Sequence, residues 1–116
     1  MLSECRKALR ITTTAYDGEL CSLMDAGARD LTIAGVVLPG TVSFEQTNKG
    51  ITDSSTLTDA LVMRAIFTYV RLNFGSPDDY ERLRESYGVQ KTQLMHATGY
   101  TDYDEPETDG DGGDGE

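Results

Sequence analysis

The fold of this chain is decided by residues 56–98, which read TLTDALVMRAIFTYVRLNFGSPDDYERLRESYGVQKTQLMHAT. This stretch predicts two helices joined by a sharp break. Thr56 and Asp59 have the T-x-x-D spacing that starts a helix. At the break, residues 75–77 read Gly-Ser-Pro, which are typical of a residue just after a helix end, an N-cap and a first helical position. The stretch therefore predicts a helical hairpin.

The first helix of this hairpin is apolar on nearly every side. Its polar remainder is one narrow stripe formed by Arg64, Thr68 and Arg71. A helix that is hydrophobic almost all round must be covered almost all round. The two arginines interrupt the apolar run, so a membrane is not the expected cover. Two amphipathic neighbours in one small subunit cover only part of such a helix, and we therefore expect further copies of the chain to cover the rest.

Two more helices are predicted ahead of the hairpin. A short one over residues 2–10 places apolar side chains on one face, and a second one follows Thr14 for about 18 residues, ending near Gly35. Gly27 lies on the inner face of the second helix and predicts the close approach of another helix. Residues 36–54 carry β-formers and turn signals, and predict a long loop with a short β-hairpin or an extended arm; a solvated flexible loop is the alternative. The predicted fold class is all-α, a four-helix subunit.

Charge divides the chain into two parts. Residues 1–100 hold 12 acidic and 10 basic side chains, whereas residues 101–116 hold 8 acidic side chains and no basic one. The second part is rich in glycine and nearly free of apolar residues, a composition that cannot bury enough surface to fold alone. We therefore predict a helical domain over residues 1–100 and a flexible acidic tail over residues 101–116.

The residues for catalysis or metal binding are missing. The chain has one histidine, His96, and no phosphate-binding loop, nucleophile elbow or H-E-x-x-H motif. We therefore expect no enzyme activity, no cofactor and no metal. Cys5 and Cys21 are too few for a disulfide framework and predict small buried side chains in a reducing compartment. No apolar run approaches the length of a membrane span, and the first residues lack the apolar core of a signal peptide, which predicts a cytoplasmic site of synthesis.

At the helical hairpin the chain resembles the head–tail connector proteins of tailed bacteriophages, also called adaptors. The resemblance is carried by AIFTYVRLNFG at residues 65–75, PDDYERLRESY at residues 77–87 and QKTQL at residues 90–94. The segment DLTIAGV at residues 30–36 is similar to the end of the first half of the same family. The resemblance covers roughly residues 2–100 and rests on helix order and short phrases, with no catalytic signature.

The resemblance implies a structural protein of the virion neck, made in the cytoplasm of the host bacterium. The family's subunits form a ring, typically dodecameric, beneath the portal protein. The ring offers a platform to the next neck or tail protein, and genomic DNA passes through its channel without sequence-specific binding. A weakly negative body suits such a channel, because a basic wall would hold phosphates. No cofactor, no reaction and no membrane is implied.

Three groups of candidate interaction residues follow. For the subunit interface we expect Leu61, Arg64, Ile66, Phe67, Val70 and Arg71. The four apolar side chains should form a core within or between subunits, and the two arginines should pair either with acids of a neighbour or within the subunit. For contact with a partner or the channel we expect Val42 and Phe44. For docking on the portal we expect Tyr100, Tyr103, Asp104 and Glu105; repulsion of DNA in the lumen is the alternative role of this tail.

One rival class of function stays open, a small regulatory DNA-binding or DNA-mimic protein. Arg6, Lys7 and Arg10 form a small basic patch. However, Pro77-Asp78-Asp79 would place acids where a recognition helix meets DNA, and a DNA mimic would carry its acids on a folded face instead of a tail. A tail-completion or head-closure protein of the same virion is a third possibility.

Overall fold

The computed structural model describes residues 1–75 and 77–97. In chain order the elements are α1 (Leu2–Leu9), α2 (Asp17–Ile33), β1 (Phe44–Thr47), β2 (Gly50–Asp53), α3 (Ala60–Asn73) and α4 (Tyr80–His96). The four predicted helices are confirmed. The hairpin suggested for residues 36–54 is also present, as an antiparallel pair of strands with Phe44 opposite Asp53. The fold is therefore mostly helical with a small sheet, and all-α describes it only loosely.

The start of α3 differs in detail from the prediction. The Asp59 carboxylate caps the helix, because its Oδ1 accepts the backbone N–H groups of Leu61 and Val62, both at 3.0 Å. Thr56 was predicted to begin the helix, and this is wrong. The Thr56 Oγ1 instead accepts a hydrogen bond from the backbone N–H of Thr41 at 2.8 Å, which joins the two ends of the preceding loop.

The break between α3 and α4 is confirmed at Gly75 and corrected after it. Gly75 has φ 69°, the left-handed conformation that ends a helix and that glycine adopts without strain. The prediction of Pro77 as the first helical residue is wrong, because α4 begins at Tyr80 after a turn through Asp78 and Asp79. Ser76, the predicted N-cap, lies outside the described residues.

The subunit itself buries most of α3, which corrects the expectation that other copies must cover it. Four of its side chains are fully buried: Val62, Ala65, Ile66 and Val70. Of its large apolar side chains, only Leu61 is more than a third exposed, at 55%. The reason is that α3 is the central helix, packed against α1 as well as α2 and α4. The prediction assumed two neighbouring helices within the subunit, whereas α3 has three.

A chain of contacts joins α2, α3 and α4. A Cβ at Gly27 would lie 3.1 Å from the Tyr69 ring, which confirms the predicted close approach of another helix. The Tyr69 ring meets Tyr87 edge-on, with centroids 5.4 Å apart. The Tyr87 hydroxyl donates a hydrogen bond to Asp30, and Lys91 Nζ lies 3.2 Å from the same carboxylate. Burial and the bond to Asp30 raise the pKa of Tyr87, so it remains the donor at neutral pH.

Both thiols are buried, as predicted. Burial is the main cause that raises the pKa of Cys5 to about 12 and that of Cys21 to about 11. Since the thiolate is the reactive form, neither side chain is a nucleophile at neutral pH in the folded subunit.

Candidate interaction surfaces

The first surface is the hairpin arm, which we define as residues 41–56. Its base is closed by hydrogen bonds: Thr41 N–H donates to Thr56 Oγ1 at 2.8 Å and Ser43 N–H to Ser55 Oγ at 2.9 Å. Val42 and Phe44 are half-buried against the core. The alternative of a solvated flexible loop is therefore not what the structure shows. Phe44 packs inward, whereas Val42 also lines a groove described below.

At the base of the arm, the backbone at Gly40 packs directly against the backbone at Leu57. A Cβ at Gly40 would lie 2.6 Å from Leu57 Cα and 2.8 Å from Leu57 N. Both of these atoms belong to the backbone, so no side chain can move aside to make room. Only glycine fits at this position.

We expect Gly40→Ala to destabilise the subunit by about 1–3 kcal/mol, because the added methyl forces the two backbone segments apart. Gly18→Ala is the matched control, since a Cβ at Gly18 meets nothing within 4 Å and alanine favours the helix by up to about 1 kcal/mol. Urea unfolding of both variants measures the difference. Equal stability of the two variants would contradict the close approach.

The arm is tied to α1 by Asp53. Its Oδ2 accepts the Leu2 backbone N–H at 2.8 Å and the Met1 ammonium at 2.7 Å, while Oδ1 accepts the Ser55 N–H at 3.0 Å. Met1, the N-cap of α1, makes no side-chain cap of its own. A carboxylate from the arm therefore accepts hydrogen bonds from the N-terminal donors of α1, a helix that is distant in the sequence. Burial by itself raises the pKa of Asp53, but these hydrogen bonds outweigh it and lower the pKa to about 2.

We expect Asp53→Asn to cost about 1 kcal/mol at neutral pH, because it removes the charge from these hydrogen bonds. The folded pKa is below the ordinary value, so the contribution is complete above about pH 4 and disappears as the pH falls towards about 2. Unfolding measured from pH 7 to pH 2 should show the two proteins converging at the acid end. A gap that stays constant with pH would contradict the charged cap.

The second surface is the apolar groove, which lies between the end of α2 and the chain leading to the arm. It encloses about 650 Å³, and its apolar lining includes Ile33, Val36, Val37, Leu38 and Val42. The apolar side chain of Ile33 is 85% exposed, and Gly35, with φ 101°, turns the chain two residues later. Arg29 and Asp25, paired at 3.0 Å, stand at the rim.

The third surface is the arginine groove, which lies between α1, α3 and α4. It encloses about 510 Å³. Arg64, Arg71 and Arg82 line it, together with Met63, Phe67 and Leu83. Arg82 pairs with Asp79. Within the part of the chain that the structure describes, Arg64 and Arg71 have no ion pair, so their predicted pairing within the subunit is not seen among these residues.

The six predicted interface residues divide into two sets. Leu61, Arg64 and Arg71 are exposed, and Phe67 is half-buried. Ile66 and Val70 have no exposed surface and belong to the core of the subunit. A side chain with no surface cannot contact a neighbour of the folded subunit, so Ile66 and Val70 are structural residues.

Sequence reasoning missed the exposed apolar residues outside α3. Ile33 and Val37 at the apolar groove and Val89 on α4, 58% exposed, are the main ones. The signal was present in the helix phase: Ile33 follows Leu31 by two positions, and Val89 follows Tyr87 by two, so each falls off the buried stripe of its helix. Isolated apolar residues on a surface are ordinary, but Ile33 and Val37 share one concave groove.

Residues 1–75 and 77–97 hold neither a metal cluster nor a membrane-spanning helix. That part of the chain holds no cluster of three or more His, Cys, Asp or Glu side chains suited to a metal ion. Its helices are too short or too polar to cross a bilayer. The predicted docking residues Tyr100, Tyr103, Asp104 and Glu105 lie outside the described residues.

Comparison with known proteins supplies one match. Residues 1–101 match the family described as phage connector protein. Neither the search of curated proteins nor the search of solved structures finds a match. The family match covers both the helical hairpin and the helices before it, and it confirms the resemblance drawn from residues 30–36 and 65–94. Since the match extends over most of the chain, this protein belongs to the phage connector protein family.

Proposed function

We propose that this chain is a head–tail connector subunit that forms a ring between the portal and the next neck or tail protein. The observation that carries the proposal is the family match over residues 1–101. Phage connectors are generally structural proteins, which agrees with a fold built from one compact helical core. The ring would extend the DNA channel of the portal, and the chain would act by holding proteins together.

Exposed apolar side chains on two different elements support a ring. The apolar groove at Ile33 and Val37 lies at the end of α2, whereas Val89 stands on α4, a different element. Different patches that meet between neighbours make heterologous contacts, which produce a ring when the rotation closes. A two-fold dimer would instead use one self-complementary patch.

The distribution of charge supports passage of DNA without binding. Residues 1–100 carry 12 acidic and 10 basic side chains, and residues 101–116 add 8 acids. Proteins that hold duplex DNA gain much of their affinity from basic side chains that neutralise phosphates. A ring of nearly neutral subunits would let the duplex slide. The helical part would form the ring, and residues 101–116 would form a separate acidic tail.

A stop codon early in the gene for this chain tests the proposal in the phage that encodes it. We expect infected cells to accumulate heads that lack tails, because the portal has no adaptor on which a tail can dock. Electron microscopy of lysates counts tailed and tailless particles, and supplying the chain from a plasmid should restore the tailed ones. Normal tailed virions from the mutant phage would overturn the proposal.

A further inference from the structure

The geometry points to the chain's own acidic tail as the occupant of the arginine groove in the free subunit. The groove presents two guanidinium groups, Arg64 and Arg71, which have no ion pair among the described residues. The acids beside them are already engaged. Glu4 pairs with the Met1 ammonium and Asp79 with Arg82. The groove is therefore a cationic surface that is suited to bind an anionic segment.

The groove continues beyond Arg71. A second depression of about 200 Å³ shares Ala8, Arg71 and Leu83 with it and adds Arg10. Arg10 also has no ion pair within the described part of the chain. The result is a track that runs along α3 from Arg64 past Arg71 to Arg10, with apolar Met63 and Phe67 in its floor.

The tail begins at the correct end of this track. Helices α3 and α4 are antiparallel neighbours, and Gln90 of α4 lines the groove together with Arg64. From Gln90 to Ala97, the last described residue, the chain advances seven residues, about 10 Å along a helix. An extended chain covers about 3.3 Å per residue, so residues 98–101 are long enough to return to Arg64.

The charge spacing of the tail matches the arginines. Arg64 and Arg71 are seven residues apart on one helix, a separation of about 10 Å. Asp102 and Glu105 are three residues apart, which places them about 9 Å apart on one face of a polyproline II segment. Tyr100 and Tyr103 alternate with these acids and offer rings to the apolar floor. Tethering raises the local concentration of the tail to about the millimolar range, so even weak ionic contacts are populated.

Under the proposed function, binding of the acidic tail also controls assembly. Arg64, Phe67 and Arg71 are also residues that we expect at the subunit interface. A tail bound in its own groove would cover them in the free subunit and would have to leave before a neighbour or the portal could bind. The tail would thus inhibit association with a neighbouring subunit or the portal until it is displaced from the groove.

The test uses the full chain with a nitroxide label on Thr108→Cys, since both native thiols are buried. If the tail lies along the track, the label should broaden the amide NMR signals of Ala8 and Leu83 at low ionic strength. We expect the broadening to be lost in 0.5 M NaCl, as screening requires. It should also be lost in Arg64→Glu/Arg71→Glu and retained in Lys7→Glu/Arg84→Glu, where the same charge change falls on exposed cations that line neither depression.

Three outcomes would overturn the inference. The first is no broadening at low salt, and the second is broadening that the arginine variant leaves unchanged. The third is broadening that arises between molecules when labelled and isotope-enriched chains are mixed, which would assign the tail to a second copy. The salt arm needs no substitution in the groove, so it remains decisive if the arginine variant fails to fold. The stop-codon experiment measures attachment of the phage tail to the head. Its result therefore stands even if the inference about the acidic C-terminal tail of this chain fails.

Discussion

Ile66→Ala is expected to destabilise the isolated subunit by about 2–5 kcal/mol, because it leaves a cavity in the core between α2, α3 and α4. Ile66 has no exposed surface, and it lies in the same cluster as Leu20 and Met24 of α2. A domain of this size has about 5–15 kcal/mol of stability in total, so the loss would be a large share. The measurement is urea unfolding, in which the midpoint should fall with little change in slope.

Leu61→Ala is the matched control for this prediction. It removes a similar side chain from the same helix, but at a position that is 55% exposed, so we expect a change within about 0.5 kcal/mol. Neither result should depend on protein concentration, because the core belongs to one chain. Equal effects of the two substitutions, or an Ile66→Ala effect that disappears on dilution, would show that Ile66 stabilises an association between copies instead.

Arg64→Glu/Arg71→Glu is expected to abolish association of the subunits and attachment to portal-bearing capsids. In the proposed ring these guanidinium groups face acids of an adjacent protein. Removing one partner of such a pair typically costs about 2–5 kcal/mol, and charge reversal adds repulsion. Even about 2 kcal/mol corresponds to roughly a 30-fold loss of affinity for each arginine. Sedimentation of the purified chain and co-sedimentation with capsids measure the two effects.

The control for the arginine variant is Lys7→Glu/Arg84→Glu, which makes the same change in net charge. Lys7 and Arg84 are exposed, and neither lines the arginine groove. We expect this control to assemble like the unchanged chain. If both double variants lose assembly, net charge is responsible and the arginine groove has no special role; if neither loses it, the groove is not an interface.

Local signals in the sequence were sufficient for the order of the elements. Helical periodicity located all four helices, and Gly75 marked the end of α3 because only a left-handed residue closes that turn readily. Gly27 predicted a close neighbour, which is the Tyr69 ring. In residues 36–54, turn residues and the alternation of apolar with polar side chains suggested the β-hairpin. Each of these inferences concerns residues close together in the chain, where spacing alone carries the information.

Contacts between distant segments could not be predicted in this way. Periodicity counts the apolar side chains of α3, but it does not reveal that α1 covers a third side. The capping of α1 by Asp53 joins residues more than fifty positions apart, and no motif announces it. The sequence analysis placed the start of α4 at Pro77, and nothing in the local pattern indicated the later start at Tyr80. The arginine groove appears only when three helices are placed side by side.

The family match strengthens the connector over the regulatory DNA-binding or DNA-mimic alternative. The ring and its contacts with the portal and the tail proteins are the proposal that the experiments test. The exposed apolar groove at Ile33 and the arginine groove at Arg64 and Arg71 are the surfaces on which that assembly should depend. Ile33, Arg64 and Arg71 are exposed, so they can be substituted without disturbing the core.

Cryo-electron microscopy of the neck in the intact virion tests the proposed function most directly. The account predicts a closed ring of this chain between the portal and the next neck or tail protein, around the DNA, with the Ile33 and Arg64 surfaces covered by adjacent proteins. A neck that lacks this chain, or that holds it as an isolated copy with both surfaces exposed to solvent, would contradict the account.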